Sequence, residues 1–206
     1  MTNLAFALTD FLVVIGVAAG LWRLWPHRRH GEVRMVRMGL VLMAVAAVTG
    51  TLRFASGQID ALAGAHSLAS TFAGAAGLAL IATGLAIKAF AISLPAGVTR
   101  YIRVGIPVFI AFMLLFPGLS DLVGLVAPAS LIAGLAASGA LLARRHWRAG
   151  LLWMSAFALI AAASLAIGAS REATTLGIAN WHIYHTLLAI WAVLVGEATR
   201  HSLGKH

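Results

Sequence analysis

Seven apolar stretches, near 4–24, 36–54, 62–90, 102–118, 122–143, 151–169 and 181–199, take up most of this chain. A helix of about 20 apolar residues crosses a hydrocarbon core of roughly 30 Å, and in lipid a helix satisfies its own backbone hydrogen bonds. The composition agrees. Of 206 residues, 61% are hydrophobic and 10% charged, with a mean hydropathy of +0.95, well outside the range of soluble domains. The expected fold is all-α, a polytopic membrane protein in which residues 1–206 form a single seven-helix transmembrane bundle. Connections between the stretches are mostly short, which favours antiparallel neighbours. Neither a soluble domain nor an internal repeat is evident.

The net charge of +9 suggests nucleic acid only until the basic residues are placed. Arg23, Arg28, Arg29, Arg34 and Arg37 follow the first stretch, and Lys88, Arg100 and Arg103 bracket the third connection. Arg144, Arg145 and Arg148 bracket the fifth, and Arg200 and Lys205 close the chain. Thirteen of fifteen basic residues thus mark alternate connections, leaving Arg53 and Arg171. That is the distribution of cytoplasmic loops in a membrane protein, not of a nucleic-acid surface. It places the amino terminus outside and the carboxyl terminus in the cytoplasm. Met1 to Leu8 carries no positive charge ahead of the first apolar run, so that run is expected to remain as a helix rather than act as a cleaved signal.

Pro107, Pro117 and Pro128 fall in or beside the fourth and fifth stretches, where they kink or start helices, and Pro26 and Pro95 punctuate loops. Gly74, Gly77 and Gly84, with Gly134 and Ser138, offer surfaces for close helix approach. Trp22, Trp25, Trp147, Trp153 and Trp181 fall near stretch ends, as an aromatic belt does. Cysteine is absent, which removes disulfides, thiolate ligands and thiol nucleophiles and leaves His, Asp and Glu as metal ligands.

With the topology set, most of the remaining ionisable residues gather towards the outer side. Asp10 lies about two turns into the first stretch, Arg53 ends the second with Thr49 one turn below it, and His66 opens the third. His182 and His185 lie in the first turns of the seventh, beside Trp181 and Tyr184 and three residues apart on adjacent turns. Asp60, Asp121 and Glu172 occupy outer loops. Intramembrane ionisable groups are costly unless paired, metallated or facing water. Bringing the first, second, third and seventh helices together would collect Asp10, Arg53, His66, His182 and His185 in one polar cavity, with Arg53 as the expected ion-pair partner of Asp10. The inner half offers chiefly Glu197.

Three short patches, Thr9-Asp10, Gly50-Thr-Leu-Arg53-Phe54 and Asn180-Trp-His-Ile-Tyr-His185, together with the span count, resemble the seven-span superfamily of alkaline ceramidases and progestin/adipoQ-type receptors, in a divergent bacterial form. That family carries Ser-x3-His on its second span and a histidine pair on its seventh, which hold zinc, while an Asp assists the bound water in amide hydrolysis. The resemblance implies zinc on His182 and His185 with His66 or Asp10 replacing the missing histidine, and Asp10 as catalytic acid–base group. Thr49, Arg53, Trp181 and Tyr184 would then line the ligand site. Two departures stand out. Ser-x3-His becomes Thr49-x3-Arg53, and a guanidinium has no lone pair to give a metal; the paired histidines are separated by two residues instead of three.

Two other seven-helix classes are tested by the residues. A retinal protein needs a lysine in its last helix, and 181–199 contains none. A haem protein would pair histidines across helices, for which His66 and His185 are the candidates. The leading functional expectation is a metal-dependent hydrolase of an amide- or ester-linked lipid. The alternative is a non-catalytic protein that binds or transports a small or lipidic ligand through its Asp/Arg/His cavity. The implied partners are the lipid bilayer and that ligand, without nucleic acid, and a homo-oligomer stays open to such a chain.

Overall fold

The computed structural model describes residues 3–203; Met1 and Lys205, used above to place the chain ends, lie outside them. Seven long helices follow one another. Helix α1 spans Asn3–Leu24 and ends in a 3-10 turn at Trp25–His27, and α2 spans Gly31–Ala55. Helix α3 runs Ala63–Ala89, interrupted by a π-turn at Ala73–Gly77. Helices α4, Ala96–Leu115, and α5, Pro117–Ala143, come next. Helix α6 is Trp147–Ala162, continued by a second π-turn at Ala163–Ile167, and α7 is Asn180–Ser202. Helices α1 to α6 are each long and apolar enough to cross a membrane, and the protein is an integral membrane protein. A two-residue ladder, Thr174–Thr175 with Ile178–Ala179, bridges α6 and α7. Its turn residues Leu176 and Gly177 both have positive φ, the geometry that matches the twist of a tight hairpin.

Four helices start earlier than the apolar runs predict. Helix α2 begins at Gly31 instead of near 36, α4 at Ala96 instead of near 102, α5 at Pro117 instead of near 122 and α6 at Trp147 instead of near 151, because polar residues such as Arg34, Arg100, Asp121 and Arg148 continue the helices beyond the apolar segment. Hydropathy marks where the lipid ends, not where the helix does. The boundary between the fourth and fifth helices also moves: Phe116 is extended and Pro117 opens α5. Proline disfavours a helical residue before it and suits the first helical position itself.

The buried apolar core lies on the bundle axis, with Leu24, Leu40, Ile81, Trp153, Phe157 and Trp191 among its members. Helix α4 stands at the periphery, burying only Pro107, Ile110 and Met113, while Val104, Val108, Phe109 and Phe112 stay exposed. Such outward apolar side chains suit hydrocarbon surroundings. Helices α1 and α7 run parallel and press backbone to backbone, since a Cβ at Gly16 would collide with Ala189 and one at Gly20 with Ala192. Close approach of this kind gathers dispersion contacts where lipid removes any hydrophobic driving force between helices. The seam is in register from Asp10 beside His185 to Arg23 beside Glu197.

Candidate functional site: a buried Asp–His pair beside an axial cavity

Helix α7 carries Trp181 and His185 one turn apart, so their rings stack at 4.3 Å. His185 Nδ1 lies 2.8 Å from the Trp181 carbonyl. A ring nitrogen against a carbonyl oxygen must carry the hydrogen. The other nitrogen, Nε2, is 3.2 Å from Asp10 Oδ1, and the same oxygen accepts from the Trp181 indole N–H at 3.0 Å. With Nδ1 already protonated, the contact between Nε2 and Oδ1 holds one more proton. Asp10 and His185 therefore form a unit of zero net charge wherever that proton sits, which is what lets a completely buried carboxyl group persist at membrane depth.

The carboxyl group fits there because α2 presents Gly50. A Cβ at that position would collide with Asp10 Oδ2 and crowd His66 Cε1. Oδ2 is buried without a hydrogen-bond partner among the described residues. On the far side, Phe54 and Phe6 brace the Trp181 indole edge-to-face, with ring centroids 5.3 and 6.2 Å away.

His66 and His182 are each held by a threonine. Thr49 donates its hydroxyl to Ala46 O at 2.7 Å, so its oxygen accepts from His66 Nδ1 at 3.3 Å. Thr9 likewise donates to Phe6 O at 3.0 Å and faces His182 Nδ1 at 3.1 Å. With its hydroxyl hydrogen on Ala46 O, Thr49 sets the hydrogen of His66 on Nδ1 and leaves a lone pair on Nε2. His66 presents its ring to the axial cavity. His182 stacks on Phe6 at 4.8 Å instead.

Two expectations are corrected by this geometry. The Asp10–Arg53 ion pair is not made: Arg53 ends α2, its Nε donates to Ile59 O at 2.7 Å and its guanidinium lies over Phe54. Helix α1 turns Asp10 toward α7, so His185 takes the place expected of Arg53. Nor do His66, His182 and His185 converge. His182 and His185 are neighbours on one helix face, but α1 receives them at different points, His182 at Thr9 and His185 at Asp10. Among the described residues no group of three His, Cys, Asp or Glu side chains is placed to hold a metal ion. A catalytic zinc needs three protein ligands and an open position, and this donor set does not fit one. The His66–His185 haem pairing meets the same obstacle, since both nitrogens of His185 are engaged.

Below the Asp–His pair lies a cavity of about 410 Å³, bounded by every helix except α4. Helix α3 lines it with Ser67, Ser70, Thr71 and Gly74, a helical stripe at i, i+3, i+4 and i+7. Tyr184, His185, Leu188 and Trp191 of α7 face that stripe, and Ser164 of α6 joins them. Both π-turns reach this wall, through Ala73 and Gly74 in one and Ser164 in the other. Such turns are frequent at functional sites, because they re-aim side chains that a regular helix would hide. Trp191 is buried and its indole N–H has no acceptor among the described residues.

Of the residues singled out from sequence, Trp181, Tyr184, His66 and His185 border the cavity, Asp10 and Thr49 hold two of them in place, and Arg53 and His182 stand apart from it. Sequence reasoning gave no role to Gly50, Phe6, Phe54 or Trp191. Gly50 had a signal, standing beside Thr49 in a stretch where a larger apolar residue would serve lipid equally well. Comparison with protein-family models, curated proteins and solved structures gives no match.

Proposed function

We propose that the chain is a seven-span membrane protein, with its amino terminus outside and its carboxyl terminus in the cytoplasm, that binds a small or lipidic ligand in the axial cavity without a resident metal. The observation that carries the reading is the cavity wall itself: an apolar pocket of about 410 Å³ into which a few fixed polar groups converge. Small-molecule sites have this composition and this size, roughly 300–1,000 Å³. His66 offers a lone pair held in one tautomer by Thr49, and Tyr184, Ser67 and Ser70 offer hydroxyls. The rest of the wall suits an acyl or ring-bearing apolar body.

Helix α7 as seventh span is supported by its registry with α1, which it accompanies from Asp10 to Arg23. A helix lying beside a spanning helix over that length crosses the same thickness. Its lower hydropathy comes from Asn180 and His185, which it supplies to the interior, and from the half-buried His182 and Glu197. The orientation rests on the basic residues, which the antiparallel order of the helices collects at one end. A reporter fused after α7 and active only outside the cell would overturn it.

The ligand reading is tested by equilibrium binding of radiolabelled palmitic acid and N-palmitoylethanolamine to the detergent-purified protein. Saturable binding of either is expected in the wild type. Ser70→Trp, which fills the cavity from an exposed position, should abolish it at unchanged melting temperature. Equal binding by wild type and Ser70→Trp would sink the proposal. Copurification of about one zinc per chain, lost in His185→Ala, would replace it with the hydrolase reading.

A further inference from the structure

At the opposite end of the bundle, the amino-terminal turns of α2 and α4 meet around a second pocket of about 280 Å³. Three arginines line it, Arg34 from α2 and Arg100 and Arg103 from α4. The helices touch where Gly31 lies against Thr99, at a point where a Cβ on Gly31 would come within 3.2 Å of the threonine side chain. None of the three arginines pairs with a carboxylate among the described residues, whereas Arg23 and Arg200 nearby both share Glu197. Arg34 Nε donates to Arg28 O at 3.1 Å, which anchors its guanidinium, while its terminal nitrogens have no hydrogen-bond partner among the described residues. Neither helix start has a side-chain cap, so unsatisfied backbone N–H groups add to the positive field.

A guanidinium is held against others of its own sign only at an electrostatic cost, and three without a counter-charge around one recess suit a multiply charged oxyanion. Phosphate accepts bidentate hydrogen bonds from arginine and is stabilised at helix amino termini. The source of the phosphate follows from what adjoins the pocket. From Arg100 onward α4 presents Val104, Val108 and Phe112 outward, on a helix that stays peripheral to the bundle. An acyl chain can lie along this strip with its headgroup at the arginines.

From the pocket and that strip together we infer that Arg34, Arg100 and Arg103 form a binding site for the phosphate headgroup of an anionic lipid. The inference rests on the protein being integral to the membrane, and is independent of the axial cavity and of which end is cytoplasmic.

The test measures binding of short-chain phosphatidic acid and phosphatidylglycerol to the purified protein in neutral detergent. Phosphatidylcholine serves as the zwitterionic control, and inorganic pyrophosphate as the soluble anion. Saturable binding of an anionic lipid is expected, weakened about ten-fold or more in Arg100→Gln/Arg103→Gln. Arg144→Gln/Arg145→Gln removes the same charge elsewhere at the same end and should change affinity less than about two-fold. Melting temperatures without lipid should match across the three proteins, since the substituted side chains are exposed or half-buried. Equal weakening by both double variants would reduce the site to general surface potential and overturn the inference. Tight pyrophosphate binding without lipid binding would overturn the lipid assignment, and so would phosphatidylcholine binding equal to that of phosphatidic acid.

Discussion

The α1–α7 seam carries an acid–base contact at each end, and the two differ in everything but their chemistry. At the end nearer the amino terminus Asp10 meets His185 with the carboxyl group wholly buried and the imidazole nearly so, wedged between Trp181 and Gly50. At the opposite end Glu197 is shared among Arg23, Arg200 and His201, all partly open. Water and salt compensate charges at the second site, so losing one partner there leaves little uncovered. At the first, only the partner compensates. One pair of parallel helices therefore holds an anchor whose members depend on each other and a cluster whose members are individually expendable.

The sharpest way to break this comparison is to remove one partner at each end. Asp10→Ala or His185→Ala should destabilise the protein by about 3–5 kcal/mol, the usual cost of stranding one member of a buried pair. Glu197→Ala should cost less than about 1 kcal/mol. Unfolding of all variants in a single detergent checks the contrast, and strictly additive losses in Asp10→Ala/His185→Ala would show that the buried pair is not coupled.

Next in size, Gly50→Ala should cost about 1–3 kcal/mol through overpacking against the Asp10 carboxyl group. Because the cost comes from that clash, Asp10→Ala/Gly50→Ala should be no less stable than Asp10→Ala alone. Further loss in the double variant would mean that α2 itself cannot accept a methyl group there.

Salt separates the ends more gently. Raising ionic strength from about 0.1 to 1 M shortens the screening length from roughly 10 to 3 Å. It should erase the small Glu197→Ala difference and leave that of Asp10→Ala in place, as read from the same unfolding curves. A salt-sensitive Asp10→Ala effect would indicate that water reaches the carboxyl group.

The smallest effect is expected at Arg53, whose guanidinium leans on Phe54 and a loop carbonyl instead of the buried acid. Arg53→Gln should lie within about 0.5 kcal/mol of wild type, as surface substitutions usually do. A loss approaching that of Asp10→Ala would restore Arg53 as the partner of Asp10.

Asp10, Arg53 and Gly50 mark the boundary between what the sequence contains and what it leaves out. The apolar runs determined that the chain is helical and embedded in lipid, and roughly where each of six membrane-crossing helices lies, because burial in hydrocarbon is a property of single segments. Depth, too, was legible: Asp10, His66 and His185 do meet at one level near one end of the bundle. What the sequence could not decide is which way each helix turns about its axis. Arg53 was the natural partner for Asp10 by charge and depth, yet α1 rotates the acid toward α7, and Gly50 makes room for it by lacking a side chain. His182 and His185 separate for the same reason, each captured by a different residue of α1. Helix rotation is set by the packing of small residues along a seam such as Gly16 on Ala189, a contact between distant parts of the chain. The two π-turns that shape the cavity wall likewise leave no mark in hydropathy. Composition settled the solvent and the helices; side-chain packing between them decided which polar groups meet and what space they enclose.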